Sequence, residues 1–313
     1  MTAADATRVA ATPERSPARV PRAKRRPIAH KKAIAVFVLP FGVLFGLFYL
    51  VPIGYAVYQS LLVIERDGTF GQAKEVFGGL TQYIAVFQNG PFWSSVGRVL
   101  TFGVVQVPIM LGAALVLALL LDSPLVKGKK FFRLAFFVPY AVPGVIAAIM
   151  WGFLYSPNLS PFTALTSNIN LLSADLVLWA MANVVTWVYV GYNMLIIYSA
   201  LLAIPTEIYE AATLDGAGQL RINWSIKIPL IVPALTLTAI FSIIGTLQLL
   251  AEPQVFRTFS SAVTSTFTPN LAVYSTSAVP NFNLAAAMSV VLALATFALS
   301  FTVLRFTQRK ADK

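Results

Sequence analysis

The chain has 313 residues, 58% of them apolar and only 11% charged, with a formal net charge of +11. Soluble domains carry about a quarter charged residues, so one polytopic membrane domain fits better than two soluble ones. Cysteine is absent and the single histidine is His30, which excludes disulfides, thiolate metal sites and a histidine metal cluster.

Residues 1–32 are rich in Arg, Lys, Pro and Ala and show no apolar period. They predict a basic, disordered tail. The apolar run that follows is too long for a signal-peptide core and lacks a small-residue cleavage site, so the tail is expected to stay on the protein. Apolar runs predict six transmembrane helices at 33–62, 96–121, 134–155, 176–203, 228–250 and 284–306. Short loops at 122–133 and 204–227 alternate with longer ones at 63–95, 156–175 and 251–283. Of the 23 Lys and Arg residues, only Arg66, Lys74, Arg98 and Arg257 fall outside the tail, the two short loops and the region after 304. The positive-inside rule then places both termini in the cytoplasm. The same distribution assigns the positive charge to membrane topology and lipid contact rather than to nucleic acid. The expected organisation is a tail over 1–32, an all-α transmembrane domain over 33–308 and a cytoplasmic C-terminus over 309–313. Pro40, Pro52, Pro108, Pro139, Pro143 and Pro233 punctuate the spans. Each removes a helix hydrogen bond and can bend a helix around a cavity.

Several activities lack their residues. There is no Gly-x-x-x-x-Gly-Lys-Ser/Thr, hence no phosphate cradle for ATP. No Asp, Glu or Lys falls near the middle of a predicted span, which counts against an ion-coupled carrier. No histidine or carboxylate is available at membrane depth as a base, so the chain is not expected to be an enzyme.

The 204–227 loop carries the functional signal. Thr206 is the expected N-cap of a short helix, and Glu207 and Glu210 sit where the helix dipole favours anions. Ala211 and Ala212 leave room for a partner surface. Gly216, after Asp215, is the expected left-handed C-cap. A second helix over about 218–227 would present Trp224, and Pro229 would open the fifth span.

This loop resembles the EAA loop of permease subunits in binding-protein-dependent ABC importers, in which Glu-Ala-Ala, a later Gly and an Ile-x-Leu-Pro recur. Glu210, Ala211, Ala212, Asp215, Gly216, Ala217, Ile226 and Pro229 match. Ile228 replaces the usual Leu, and Asn223 stands where an aromatic is common, with Trp224 beside it. Over 33–308 the chain resembles the carbohydrate type, similar to the first maltose permease subunit. Phe37-Val-Leu-Pro40, Gly79-Leu-Thr-Gln-Tyr83, Val138-Pro-Tyr-Ala-Val-Pro-Gly144 and Ala285-Ala-Ala-Met-Ser-Val290 contribute. Ser260-Ser-Ala-Val-Thr264 occupies the region of the family's Gly-Gly-Pro turn. The resemblance implies a six-helix type I importer bundle in the bacterial inner membrane. Its expected partners are a second homologous permease, two ABC ATPase subunits and an extracytoplasmic solute-binding protein. ATP and Mg would be bound by the ATPase, with no cofactor in this chain. The loop would dock in an ATPase groove through Glu207, Glu210, Ala211, Ala212, Asp215, Gly216, Ala217 and Trp224. The expected solute is a disaccharide, an oligosaccharide or a glycerol phosphate derivative.

A sugar path needs hydrogen-bonding groups and aromatic faces inside the bundle. The fourth span supplies Asn183, Thr186, Trp187, Tyr189 and Asn193, and the fifth Ser242 and Thr246. Interhelical packing uses the same residue types. Two rival readings are a self-contained ion-coupled transporter and a membrane scaffold without transport. Neither needs the Glu-Ala-Ala-x-x-Asp-Gly-Ala sequence.

Overall fold

The computed structural model describes residues 31–66, 72–157, 159–162, 168–278 and 281–311. Residues 1–30 of the tail expected over 1–32, and the last two residues, lie outside the described residues, while Lys31 and Lys32 open the first helix. The chain divides into two units, 1–52 and 53–313. In the first, α1 (Lys31–Phe45) runs through Pro40 into a π-helical turn, Gly46–Leu50. Phe41, Phe45 and Tyr49 stack at four-residue steps with ring centres 5.9 and 5.3 Å apart. That spacing puts side chains on one helix face. α2 (Val51–Gln59) follows, and Val36–Gln59 is long and apolar enough to cross a bilayer.

The second unit is helical apart from one hairpin. β1 (Leu62–Arg66) pairs antiparallel with β2 (Ala73–Phe77), Leu62 opposite Phe77. α3 (Thr81–Gln88) leads into α4 (Gly90–Asp122). α4 starts before the expected residue 96 because Asn89 caps it: its Oδ1 accepts the Phe92 N–H at 3.0 Å. The expected third span is two helices, α5 (Lys129–Phe137) and α6 (Gly144–Tyr155), bent by 94°. Pro139 and Pro143 cause the bend. Neither donates a backbone hydrogen bond, and Val142, before Pro143, is held extended at φ −79°, ψ 123°.

α7 (Val177–Leu202) is the fourth span. α8 (Thr206–Leu214) and α9 (Gln219–Ile222) follow, and a π-helical turn, Asn223–Lys227, leads towards the fifth span. That span is α10 (Val232–Leu247) and, after a break, α11 (Ala251–Phe256). Hydropathy ends the span near 250 and hands Glu252 to an outer loop. The helix instead resumes, because Pro253 is tolerated in a first turn, and Glu252 belongs to the apolar segment Val232–Phe256. α12 (Pro269–Ala278) and α13 (Phe282–Ala311) complete the unit. Among the described residues, five helices are long and apolar enough to span a membrane, or six with the bent pair as one.

Small residues set the packing. Ala114 and Ala118, one turn apart on α4, are fully buried with Met194, Ile197 and Leu201 of α7. Their short side chains let the two backbones approach. Gly191 does the same for α5: a Cβ there would overlap the Phe136 carbonyl. The Arg98 guanidinium donates to the Phe267 carbonyl at 2.7 Å and lies 4.6 Å from the centre of its ring.

The 204–227 loop is fastened to the bundle by charge. Lys227 donates to the Asp122 carboxylate at 2.5 Å, with their side chains only 6% and 12% exposed. The Lys227 ammonium also lies 4.9 Å from the centre of the Tyr209 ring, a cation–π contact. Burial, and after it the Asp122 charge, pushes the Tyr209 phenol above its ordinary range. The end of α4, helix α8 and the start of the fifth span thus meet at three side chains.

Two outcomes are expected. Gly191→Val should cost about 3 kcal/mol, the upper range for overpacking, seen as a lower melting temperature in detergent. Lys227→Met should cost about 3–5 kcal/mol by stranding Asp122, whereas Lys227→Met with Asp122→Leu should recover most of it. Equal melting temperatures for the single and double variants would mean that the pair's charges carry no weight.

Candidate functional site

Two loci meet the requirements of a transport subunit. The first is the loop after α7. α8 begins at Thr206 with Pro205 as N-cap, so Thr206 is the first helical residue and not the cap expected from its side chain. Its C-terminus has the geometry that the sequence implies. Asp215 is the cap, Gly216 is left-handed at φ +78°, its N–H donates to the Thr213 carbonyl at 3.0 Å, and Ala217 donates to the Ala212 carbonyl at 2.9 Å. This pair of bonds is a Schellman closure and requires the positive φ that glycine adopts without strain.

Glu207, Glu210, Ala211, Asp215 and Gly216 are exposed, while Ala212 and Ala217 are half-buried. Trp224 is 70% exposed, and Leu214 and Leu220 are 90% and 75% exposed. Neither leucine was marked from sequence, since a leucine beside an apolar span reads as core. Ile222, between Leu220 and Trp224, is buried and holds the segment down.

The second locus is a cavity of about 590 Å³. Tyr189, Tyr192 and Asn193 of α7 face it, as do Ser242, Gly245 and Thr246 of α10. Gln106 enters from α4, Gly144 from the start of α6, and Gln248 and Glu252 from the break in the fifth span and α11. Both broken spans therefore break at the cavity. Irregular backbone at membrane depth is tolerated where it lines such a space.

Of the seven path residues expected from sequence, Tyr189, Asn193, Ser242 and Thr246 line this cavity. Asn183 instead donates to the Tyr155 hydroxyl at 2.6 Å. Trp187 stands edge-on to Trp151, centres 5.8 Å apart. Thr186 accepts from Gln106 at 3.2 Å. At about 100° per residue, Val185, Tyr189, Tyr192 and Asn193 fall within roughly 100° of one another, while Asn183 and Trp187 point 120–160° away from Tyr189. The polar stripe read from sequence thus serves two faces of α7.

Gln106, Tyr192, Gln248 and Glu252 were not marked from sequence. Gln106 and Gln248 had a signal, as polar amides inside long apolar runs, whereas Tyr192 lies on an unmarked helix face and Glu252 past the hydropathy boundary. Tyr192 stacks on Tyr140 with ring centres 4.6 Å apart, and Tyr140 meets Tyr189 edge-on, giving the cavity an aromatic side. No cluster of potential metal ligands occurs among the described residues.

Comparison with known proteins agrees with this architecture. Residues 111–311 match the family described as the binding-protein-dependent transport system inner membrane component. The chain is 28% identical over 286 residues to the sn-glycerol-3-phosphate transport system permease protein UgpA of Agrobacterium fabrum, covering 88% of this chain and 94% of the relative. It is 31% identical to the lactose transport system permease protein LacF of Rhizobium radiobacter, covering 85% and 91%. Its fold matches a chain of a bacterial alginate ABC transporter solved with an alginate pentasaccharide-bound periplasmic protein. The TM-score is 0.74 at 16% identity, over 90% of this chain and 95% of that one. The chain belongs to the inner-membrane permease family of binding-protein-dependent ABC importers, as a multi-pass translocation component rather than an enzyme.

Proposed function

We propose that the chain is one permease half of an ATP-driven importer for a sugar or sugar-like solute, with the cavity between α4, α7 and α10 as part of the solute path. It pairs with a second, homologous permease, two ATPase subunits that hold ATP and Mg, and an extracytoplasmic binding protein. Both termini lie on the cytoplasmic side, as the distribution of basic residues supports. The observation that carries this reading is the loop after α7. It presents an exposed, Schellman-closed helix with four exposed apolar side chains, Ile208, Leu214, Leu220 and Trp224, and the Lys227–Asp122 pair ties it to α4. Exposed apolar groups beside small residues suit a protein groove, and the buried pair lets a push on α8 reach the bundle without dissipating in a slack loop.

The transport cycle follows from differential binding. ATPase closure moves α8 and, through Lys227 and Pro229, the fifth span. The cavity then alternates between the two sides, provided the closed ATPase binds one permease state more tightly than the other. The solutes named for the relatives above, a glycerol phosphate and a neutral disaccharide, set the range of chemistry.

Affinity purification in mild detergent should recover a second six-span permease and a P-loop ATPase. Gly216→Pro, which cannot adopt φ +78°, and Glu210→Lys should insert normally. Each should lower ATP-dependent uptake by roughly tenfold or more, the effect of losing about 1.4 kcal/mol of docking energy. Normal uptake in both variants, or uptake that persists without any ATPase and collapses with an uncoupler, would refute the assignment.

A further inference from the structure

Glu252 is the feature of the cavity that its role as a path does not require. Its side chain lines the space although the residue is only 8% exposed. It forms no ion pair among the described residues, and no Lys, Arg or His stands among the residues lining the cavity. A Cβ on Gly144 would meet the Glu252 Oε1 at 3.6 Å, so the carboxylate lies against the first turn of α6. The side chain therefore stands beside a helix start, whose unpaired N–H groups favour a negative charge. Gln106, which also lines the cavity, is 2% exposed and keeps its Oε1 without a donor, while its Nε2 is committed to Thr186 and Met110. Gln106 Oε1 thus awaits a hydrogen-bond donor, the Glu252 carboxylate has no side-chain donor among the described residues, and no cation lines the cavity.

We infer that Glu252 restricts the solute to neutral or amine-bearing polyhydroxyl compounds and disfavours phosphate esters and free carboxylates at the permease itself. A sugar hydroxyl or ammonium satisfies the carboxylate and the Gln106 carbonyl. A phosphate would meet a like charge with no counter-charge on the wall. This rests on the reading of the cavity as the solute path, and the test separates the two.

The chain has no cysteine, so Ser242→Cys places a single thiol of this chain on the cavity wall. In the assembled complex, that thiol is treated with a cationic trimethylammonium-ethyl or an anionic sulfonatoethyl methanethiosulfonate. Modification of this chain is followed by mass, and rates are normalised to a free thiol. The cationic reagent should react on the order of a hundredfold faster, the effect of one charge at close range in partly screened surroundings. The preference should fall to near unity with Glu252→Gln and persist with Glu252→Asp, which also controls for folding. Equal rates with Glu252 present, or a preference unchanged by Glu252→Gln, would overturn the charge rule and leave the path intact. A thiol inert to both reagents in every nucleotide state would overturn the path itself. Uptake of a phosphate ester as fast as its neutral parent by the reconstituted system would also refute the rule.

Discussion

The crossing of α5 over α7 at Gly191 determines where everything else can sit. The Phe136 carbonyl occupies the space of a side chain there, so the two backbones touch. The third span cannot continue straight from such a close crossing, and Pro139 and Pro143 turn it by 94°. That turn leaves the start of α6 with free N–H groups beside the cavity. The fifth span breaks beside the same space, between Leu247 and Ala251. Backbone polar groups freed inside a bilayer need partners or water. Two breaks converging on one cavity meet that need, and they put polar side chains where a solute would pass.

The two buried carboxylates that the bundle handles differ in kind. Asp122 is matched to Lys227 within hydrogen-bond distance, and that match joins the end of α4 to the segment behind the docking helix. Breaking it would strand a charge, so the joint behaves as a stiff link. Glu252 has no cationic partner among the described residues and lines the cavity instead. Removing a carboxylate from water is expensive unless polar surroundings compensate. The start of α6 beside the carboxylate and the cavity it lines supply such surroundings. One charge therefore serves mechanics and the other serves the chemistry of the space.

The 204–227 loop shows how a short motif becomes a shape. Gly216 is left-handed, and the Ala212 and Thr213 carbonyls receive the bonds that close the helix. The exposed leucines flank this closure, and Ile222 and Lys227 pin its far end. Small residues, a glycine turn and apolar flanks form a protruding element with a defined direction, which is what an interface that must transmit displacement requires.

Hydropathy and the Glu-Ala-Ala…Asp-Gly-Ala segment were enough to determine a helical membrane bundle, the existence of its spans and the position of the glycine-closed helix α8. These are local properties, because apolar length and a left-handed glycine act over one helix or one turn. Which residues meet in the cavity was decided by tertiary structure alone. The polar residues of α7 share a stripe in one dimension, yet helix rotation sends Tyr189 and Asn193 to the cavity and Asn183 and Trp187 to packing. Asp122 and Lys227 are 105 residues apart, and Glu252 lies past the point where apolarity stops. Long-range contacts and helix rotation depend on how backbones cross, and here the crossings are set by the absence of side chains at Gly191, Ala114 and Ala118, whose consequence appears only when a second helix is laid against them.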